Sequence, residues 1–255
     1  MSDQAITVIV PTYNHETQIC AAVESVVRQT VFGDCRVVIS DDCSSDRTFE
    51  LVEPLAGRYS NITLRRNAEN LGVMKHYQTL ISQIATPFTA ILEGDDLWTS
   101  ERKLEVQRQF LECHPAAGMC FSACVVDYEA DAKQVSHPLW NDRRNRIIDV
   151  VDLIYDNPVA TFSNCFYRTP ILKDAILSAD STSGYDWLCT LKIASVCEVG
   201  FLGEPSTLYR VHRDGAWSRL SRDQQVKAIR ETLGTFRHAN PSMRLYIDDA
   251  IRIAK

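Results

Sequence analysis

Four apolar runs, each no longer than a strand, occupy residues 6–10, 35–39, 62–64 and 88–92 and alternate with stretches whose apolar residues recur at helical spacing. The first, Ile6-Thr7-Val8-Ile9-Val10, is continuous and β-branched, which suits a strand buried on both faces. Pro11 is expected to end it, because proline has no backbone donor. From Glu16 onward Ile19, Ala22, Val23, Val26 and Val27 line one helical face, and helices are likewise expected over 48–55 and 73–84. Parallel neighbours need a crossover, and the crossover helices cover the sheet. The fold class is therefore α/β, with a Rossmann-like, mostly parallel central sheet and helices on both faces.

Ligands of open α/β sheets bind beyond the carboxyl ends of the strands. Three polar stretches lie there: Thr12-Tyr13-Asn14 after the first run, Asp41-Asp42 after the second, and Glu93-Gly94-Asp95-Asp96 after the fourth. They are expected to converge on one crevice. Three carboxylates this close suppress each other's ionisation unless a cation neutralises them, and a hard, oxygen-preferring ion, Mg²⁺ or Mn²⁺, is the natural partner.

Beyond Trp98 the pattern predicts a helix over 103–112, a strand over 119–126 and a mobile polar loop over 129–146 covering the site. Further on it predicts a helix over 147–155, a strand over 160–167, a helix over 185–195, strands over 198–202 and 206–211, and a helix over 222–237. After Pro241 a last helix runs to 255. One large domain with a small helical C-terminal appendage, 221–255, is expected. Val226, Ile229, Leu233 and Phe236 share one face of the 222–237 helix, a face suited to closing the domain or meeting a second copy in a homodimer. Arg222, Lys227, Arg230 and Arg237 lie elsewhere around it, so a membrane-surface helix is the alternative.

A formal net charge of -6 gives no general attraction for nucleic acid or anionic membrane. Nine cysteines, an odd number with no C-x-x-C pair, read as buried thiols of a reducing compartment. The chain enters its first strand without a signal-like charged and apolar leader, and no apolar run reaches the ~20 residues that span a bilayer. Cytoplasm is expected, with membrane contact at most peripheral.

Other residues carry chemistry. Asp42, in the strand-end crevice, can accept from a nucleobase imide or a ribose hydroxyl, whereas Ser45 and Asp46 are expected to cap the following helix. Neither G-x-G-x-x-G nor G-x-x-x-x-G-K-[ST] occurs, so a diphosphate would rely on a metal and on basic helpers. Arg66, Lys75 near the turn at 67–72, Arg210, His212 and Arg213 are available, each on its own an ordinary surface charge. In Gly184-Tyr185-Asp186-Trp187, after the flexible stretch Ser181-Thr182-Ser183, a carboxylate sits between two aromatics at a helix start. The helix N-terminus favours its ionised form and desolvation raises its basicity, the poise a general base needs, although simple capping is the competing role. His212, following a strand, could complete a metal shell or donate to a phosphate oxygen.

Together these stretches resemble the family 2 inverting glycosyltransferases of the GT-A fold, bacterial surface-polysaccharide type. The matching residues are Val8-Ile9-Val10-Pro11-Thr12-Tyr13-Asn14, Ile39-Ser40-Asp41-Asp42-Cys43-Ser44-Ser45-Asp46, Asn70-Leu71-Gly72-Val73, Leu92-Glu93-Gly94-Asp95-Asp96-Leu97-Trp98 with Lys103-Leu104, and Tyr209-Arg210-Val211-His212, in the family's order over roughly residues 5–218. The resemblance implies a transferase domain over 1–220, with a nucleotide-binding half of about 1–100 and an acceptor half of about 101–220. It further implies that Pro11, Thr12, Tyr13 and Asp42 frame base and ribose, with Asn70, Lys75, Glu93, Asp95 and Arg210 also facing the donor. Asp95 and Asp96 take the metal-binding D-x-D role with His212 nearby, and Asp186 matches the catalytic base. The implied donor is UDP-, dTDP- or GDP-linked, and the acceptor is a glycan or lipid-linked. Two residues depart from the pattern: Glu93 replaces the first acid of D-x-D, and Tyr185 replaces the acid usual before the base.

Two other classes remain. A nucleotidyltransferase would carry a Gly-rich basic N-terminal loop where this chain has Pro11-Thr12-Tyr13-Asn14. A non-catalytic sugar-nucleotide binding module, or a partner-dependent subunit, would bind nucleotide without depending on Asp186.

Overall fold

A computed structural model describes residues 4–128, 133–135, 137–178, 184–213, 215 and 217–254. The strands are β1 (Ile6–Thr12), β2 (Cys35–Asp41), β3 (Ile62–Arg66), β4 (Phe88–Ile91), β5 (Leu97–Trp98), β6 (Ala117–Tyr128), β7 (Lys133–Val135), β8 (Arg146–Ile148), β9 (Cys165–Arg168) and β10 (Glu198–Val211). The helices are α1 (Ile19–Val27), α2 (Thr48–Arg58), α3 (Val73–Ser82), α4 (Lys103–Cys113), α5 (Val150–Tyr155), α6 (Thr169–Leu177), α7 (Tyr185–Ala194), α8 (Arg222–Ala239) and α9 (Arg244–Ile253).

One sheet runs β3-β2-β1-β4-β9-β6-β10-β5, with β7 on β6 and β8 on β10. β3, β2, β1 and β4 are parallel, β9 is reversed between β4 and β6, and β6 and β10 are again parallel. The carboxyl ends of β1, β2, β4 and β10 consequently lie along the same side of the sheet. Period-2 alternation sorts the side chains. Ile6, Val8 and Val10 enter one core with α1, α2 and α4, whereas Ile9 and Val38 enter the other with α3 and α5 to α9.

Several boundaries differ from expectation. β1 continues through Pro11, which pairs with Ser40, to Thr12. The missing donor is harmless because β4 has already ended on that side, where Leu92 and Gly94 donate to the carbonyls of Ile9 and Pro11. The two strands expected over 198–202 and 206–211 are one strand, whose register shifts at Pro205 absorb the proline. Ile147 belongs to β8, paired with Gly200, and α5 starts only after Asp149, whose carboxylate caps the Val151 amide. Of the 160–167 stretch only 165–167 is strand, continuing to Arg168; Ala160 has φ 66° and a 3-10 turn, Phe162–Asn164, precedes β9. α6, opened by Thr169-Pro170, was not expected from the pattern. Asp46 does accept from the Thr48 amide at 2.9 Å, whereas the Ser45 amide donates to Asn14. The loop expected over the site and the Ser181-Thr182-Ser183 stretch lie partly or wholly outside the described residues.

α8 and α9 bury Leu233, Phe236, Ile247 and Ala250 in the same core as α5 and α7. Much of the apolar face of α8 is thus covered within the chain. Among the described residues no helix is long and apolar enough to cross a membrane.

Candidate active site

Past Ile91 the chain turns over the end of β4, and the three carboxylates part. Glu93 is received by protein hydroxyls: Tyr77 donates to Oε1 at 2.8 Å and Thr161 to Oε2 at 2.6 Å. Asp96 is 1 % exposed. Its Oδ1 accepts the Arg210 amide at 3.0 Å and its Oδ2 lies 3.0 Å from the Thr161 hydroxyl. Asp95 instead turns to two imidazoles, its Oδ2 lying 3.0 Å from His212 Nε2 and 3.5 Å from His15 Nε2. Those rings stand edge to face, 6.3 Å between centroids.

The environments push the three carboxyls apart. Burial, with Asp95 and Glu93 as like charges, holds Asp96 well above the usual carboxylate range. Burial and the Asp95 charge push Glu93 up to about 7 against the bonds from Thr161 and Tyr77. Burial also acts to raise Asp95, but His15 and His212 outweigh it and hold that group low.

Gly94 makes the approach of His15 possible. A Cβ there would stand 2.6 Å from Thr12 Oγ1 and 2.8 Å from His15 Nδ1, too close for any real side chain. Thr12 Oγ1 and His15 Nδ1 are 3.2 Å apart, which fixes the ring from behind.

Asp42 lies at the end of β2, 3 % exposed. Its Oδ1 accepts from Asn67 Nδ2 at 2.7 Å and the Leu71 amide at 2.9 Å, and its Oδ2 from the Gly72 amide at 3.0 Å. Asn70 Nδ2 donates to the Asp42 carbonyl at 3.1 Å. Asp42 therefore shapes the turn leading into α3, and acceptor capacity remains on Oδ2. Pro11 and Thr12 are buried beside this strand end, and Tyr13 is 44 % exposed at the rim.

Asp186 comes from the first turn of α7, behind Gly184 in the left-handed conformation. Burial raises it above the usual carboxylate range, partly offset by the Trp187 amide and by Asn157, whose Nδ2 lies 3.4 Å from Oδ2. It is near enough to Glu93 for its charge to contribute to raising that group. The preceding Tyr185 packs on Tyr77 and Phe162, with ring centroids 5.8 Å and 5.7 Å away, so an aromatic wall joins the base candidate to the acidic strand end.

The basic helpers divide. Arg210 Nη1 donates to the Asp95 carbonyl at 2.9 Å and so braces the acidic turn from within. Lys75 and Arg213 are exposed, Lys75 in the first turn of α3. Arg66 is directed at Asp41, Nε to Oδ2 at 3.3 Å, and at the Ser44 carbonyl, so it braces β2 and the following loop. His15, Tyr77, Thr161, Ser163 and Asn157 were not anticipated as site residues. His15 adjoins Thr12-Tyr13-Asn14 and was within reach of the same reasoning; Thr161 and Ser163 lie in a stretch that reads as plain strand.

Asp95 and His212 offer a carboxylate oxygen and an imidazole nitrogen, a donor set that suits Mn²⁺ and accommodates Mg²⁺. Among the described residues no three His, Cys, Asp or Glu side chains form a closed cage. The pair fits an open site whose remaining positions water and phosphate oxygens would fill. Both oxygens of Asp96, expected as a second ligand, are engaged by Arg210 and Thr161.

Residues 7–176 match the model of the family described as Glycosyl transferase family 2. The chain belongs to that family. Rv1520, an uncharacterized protein of Mycobacterium tuberculosis, is 29% identical over 223 residues, covering 86% of this chain and 62% of the relative. The chain thus spans about three-fifths of that relative's length. Among solved structures, residues 1–349 of Staphylococcus aureus TarS in complex with UDP-GlcNAc align with a TM-score of 0.72 at 21% identity, over 90% of this chain and 65% of that one. The mannosyltransferase PcManGT of Pyrobaculum calidifontis, in complex with GDP-Man and Mn²⁺, aligns at 0.66 and 20% identity, over 98% of this chain and 72% of that one. These structural matches establish the GT-A fold.

Proposed function

We propose that this family 2 member transfers a glycosyl group from a nucleoside-diphosphate sugar to an acceptor hydroxyl with inversion, using Mg²⁺ or Mn²⁺ at Asp95 and His212. The observation that carries the reading is Asp186, a carboxylate of raised basicity joined to the acidic strand end by the Tyr185–Tyr77 wall. Asp186 would take the acceptor's proton as its oxygen attacks the anomeric carbon from the face opposite the leaving group. Pro11, Thr12, Tyr13, Asp42 and Asn70 frame base and ribose; Glu93 faces the donor, with Lys75 and Arg210 as basic neighbours. When bound, the ion stabilises negative charge on the departing diphosphate. We assign Asp96 to holding the Arg210 amide and Thr161, rather than to the ion.

UDP-GlcNAc in TarS and GDP-Man in PcManGT support a nucleotide-sugar donor, UDP-, dTDP- or GDP-linked. A TarS sequence is named a poly(ribitol-phosphate) β-N-acetylglucosaminyltransferase, which supports a surface-polymer acceptor; a glycan or lipid-linked acceptor in surface-polysaccharide synthesis belongs to the same proposal. We assign the reaction to the cytoplasm, to residues 1–220, with 221–255 as a helical tail.

The test is nucleoside diphosphate release from UDP-, GDP- and dTDP-sugars, with Mn²⁺ or with EDTA. One donor class is expected to turn over only with metal. Asp186→Asn should lose about 10²- to 10⁴-fold in rate while keeping nucleotide binding. Nucleotide binding without turnover in any acceptor mixture would establish a binding module instead, and absence of nucleotide binding would overturn both readings.

A further inference from the structure

We propose that Lys103 is a positioning residue for the transferase: from beneath the site it fixes the turn that carries Thr161 and Ser163 to the acidic strand end. The proposal rests on the transferase reading above. Lys103 opens α4 and is 2 % exposed. Its ammonium donates to Gln107 Oε1 at 2.9 Å and to the Asn164 carbonyl at 3.0 Å, both neutral acceptors, and lies 5.6 Å from the centre of the Trp98 ring. The titratable groups around it are the thiols of Cys120, Cys124 and Cys165. With no carboxylate partner among the described residues, the buried ammonium carries a desolvation cost that an apolar side chain of equal length would avoid, although that side chain would take the donor from Gln107 Oε1. The two terms oppose each other, so stability is a weak reason for a lysine here.

The turn it holds has two faces. On the inner face the Asn164 carbonyl takes Lys103 Nζ and Gln107 Nε2, each at 3.0 Å, and the Ser163 carbonyl takes Trp98 Nε1 at 2.8 Å. Asn164 Nδ2 donates to the carbonyls of Ser122 at 2.5 Å and Val159 at 3.3 Å. On the outer face Thr161 Oγ1 meets Glu93 and Asp96, and Ser163 Oγ accepts the Glu93 amide at 2.9 Å. The charge-assisted bond from Lys103 is the strong anchor of the inner face. It fixes by rigid connection where the outer hydroxyls, and with them Glu93 and Asp96, stand.

The test compares Lys103→Met, Thr161→Val and the double variant by turnover, urea unfolding and amide hydrogen exchange. Lys103→Met is expected to keep a cooperative urea transition, because relief of the buried charge offsets the loss of a donor to Gln107 Oε1, to exchange amides 161–164 faster than wild type, and to lose about 10- to 100-fold in kcat with little change in donor KM. The double variant should lose no more than the worse single, because both act through one turn. Trp98→Phe, which removes the indole donor to the Ser163 carbonyl, should give the same faster exchange and kcat loss, at a lower urea midpoint because it also empties core volume. Unchanged exchange at 161–164, independent losses in the double variant, or a Lys103→Met chain that does not fold would each overturn the proposal. Should the wild type turn over no sugar nucleotide, the transferase reading fails, while the exchange result still decides whether Lys103 holds the turn.

Discussion

Neighbouring carboxylates in one acidic stretch do different work because their partners differ. The acceptors of Asp96 satisfy an interior amide, whereas those of Asp95 face two histidines. Asp96→Ala should cost about 1–3 kcal/mol through the stranded Arg210 amide, read by urea unfolding. Asp95→Ala should leave stability within about 1 kcal/mol of wild type yet abolish metal-dependent nucleotide binding, read by titration calorimetry with and without Mn²⁺. Lys103 offers a pH signature of its own. Burial lowers it to about 8, so between pH 8 and its unfolded value near 10.5 the unfolded chain binds the extra proton, and stability rises with pH across that window. Urea unfolding at pH 7.5 and 9.5 should show wild type gaining relative to Lys103→Met, by up to about 3 kcal/mol over the full window.

At the scale of elements, α7 owes its placement to one backbone position. Gly184 holds φ 62° at its start, and a Cβ there would collide with Thr232 of α8. Gly184→Ala should therefore displace the turn bearing Asp186, lowering turnover at least about 10-fold with a smaller effect on nucleotide affinity, read by kinetics against equilibrium binding. The alternation of apolar runs and helical faces announced β1 to β4, α1 to α4 and α7, because buried strands and amphipathic helices write their own periods. Pro11 misled because a proline rule for central strands does not know that the pairing of β4 with β1 ends at Ile9, two residues earlier. The break expected between 202 and 206 is instead a pair of register shifts around Pro205 within one strand. α6 went unseen although Thr169-Pro170 is a fair helix start.

On the scale of the whole molecule, the tail is part of the core. Leu233, Phe236 and Ile247 are each at most 1 % exposed and pack with residues of α5 and α7. Deleting 221–255 should strip that face, so the shortened chain should lose its cooperative unfolding transition and bind an apolar dye, read by circular dichroism and dye fluorescence. The crevice itself was legible, because strand carboxyl ends can be located from sequence; Thr161, Ser163 and Asn157 were not, since nothing local marks a turn as facing a strand end met only in the folded state.

The bond between His212 and Asp95 joins residues 117 positions apart, and His15 reaches the same oxygen from the other end of the chain. Chains grow from the amino end, so this centre cannot exist on a ribosome-bound fragment until residue 212 has emerged. A nascent chain whose first four strands had already folded would still lack the histidine that follows β10, so under the proposed function its ion site would be the last part to form.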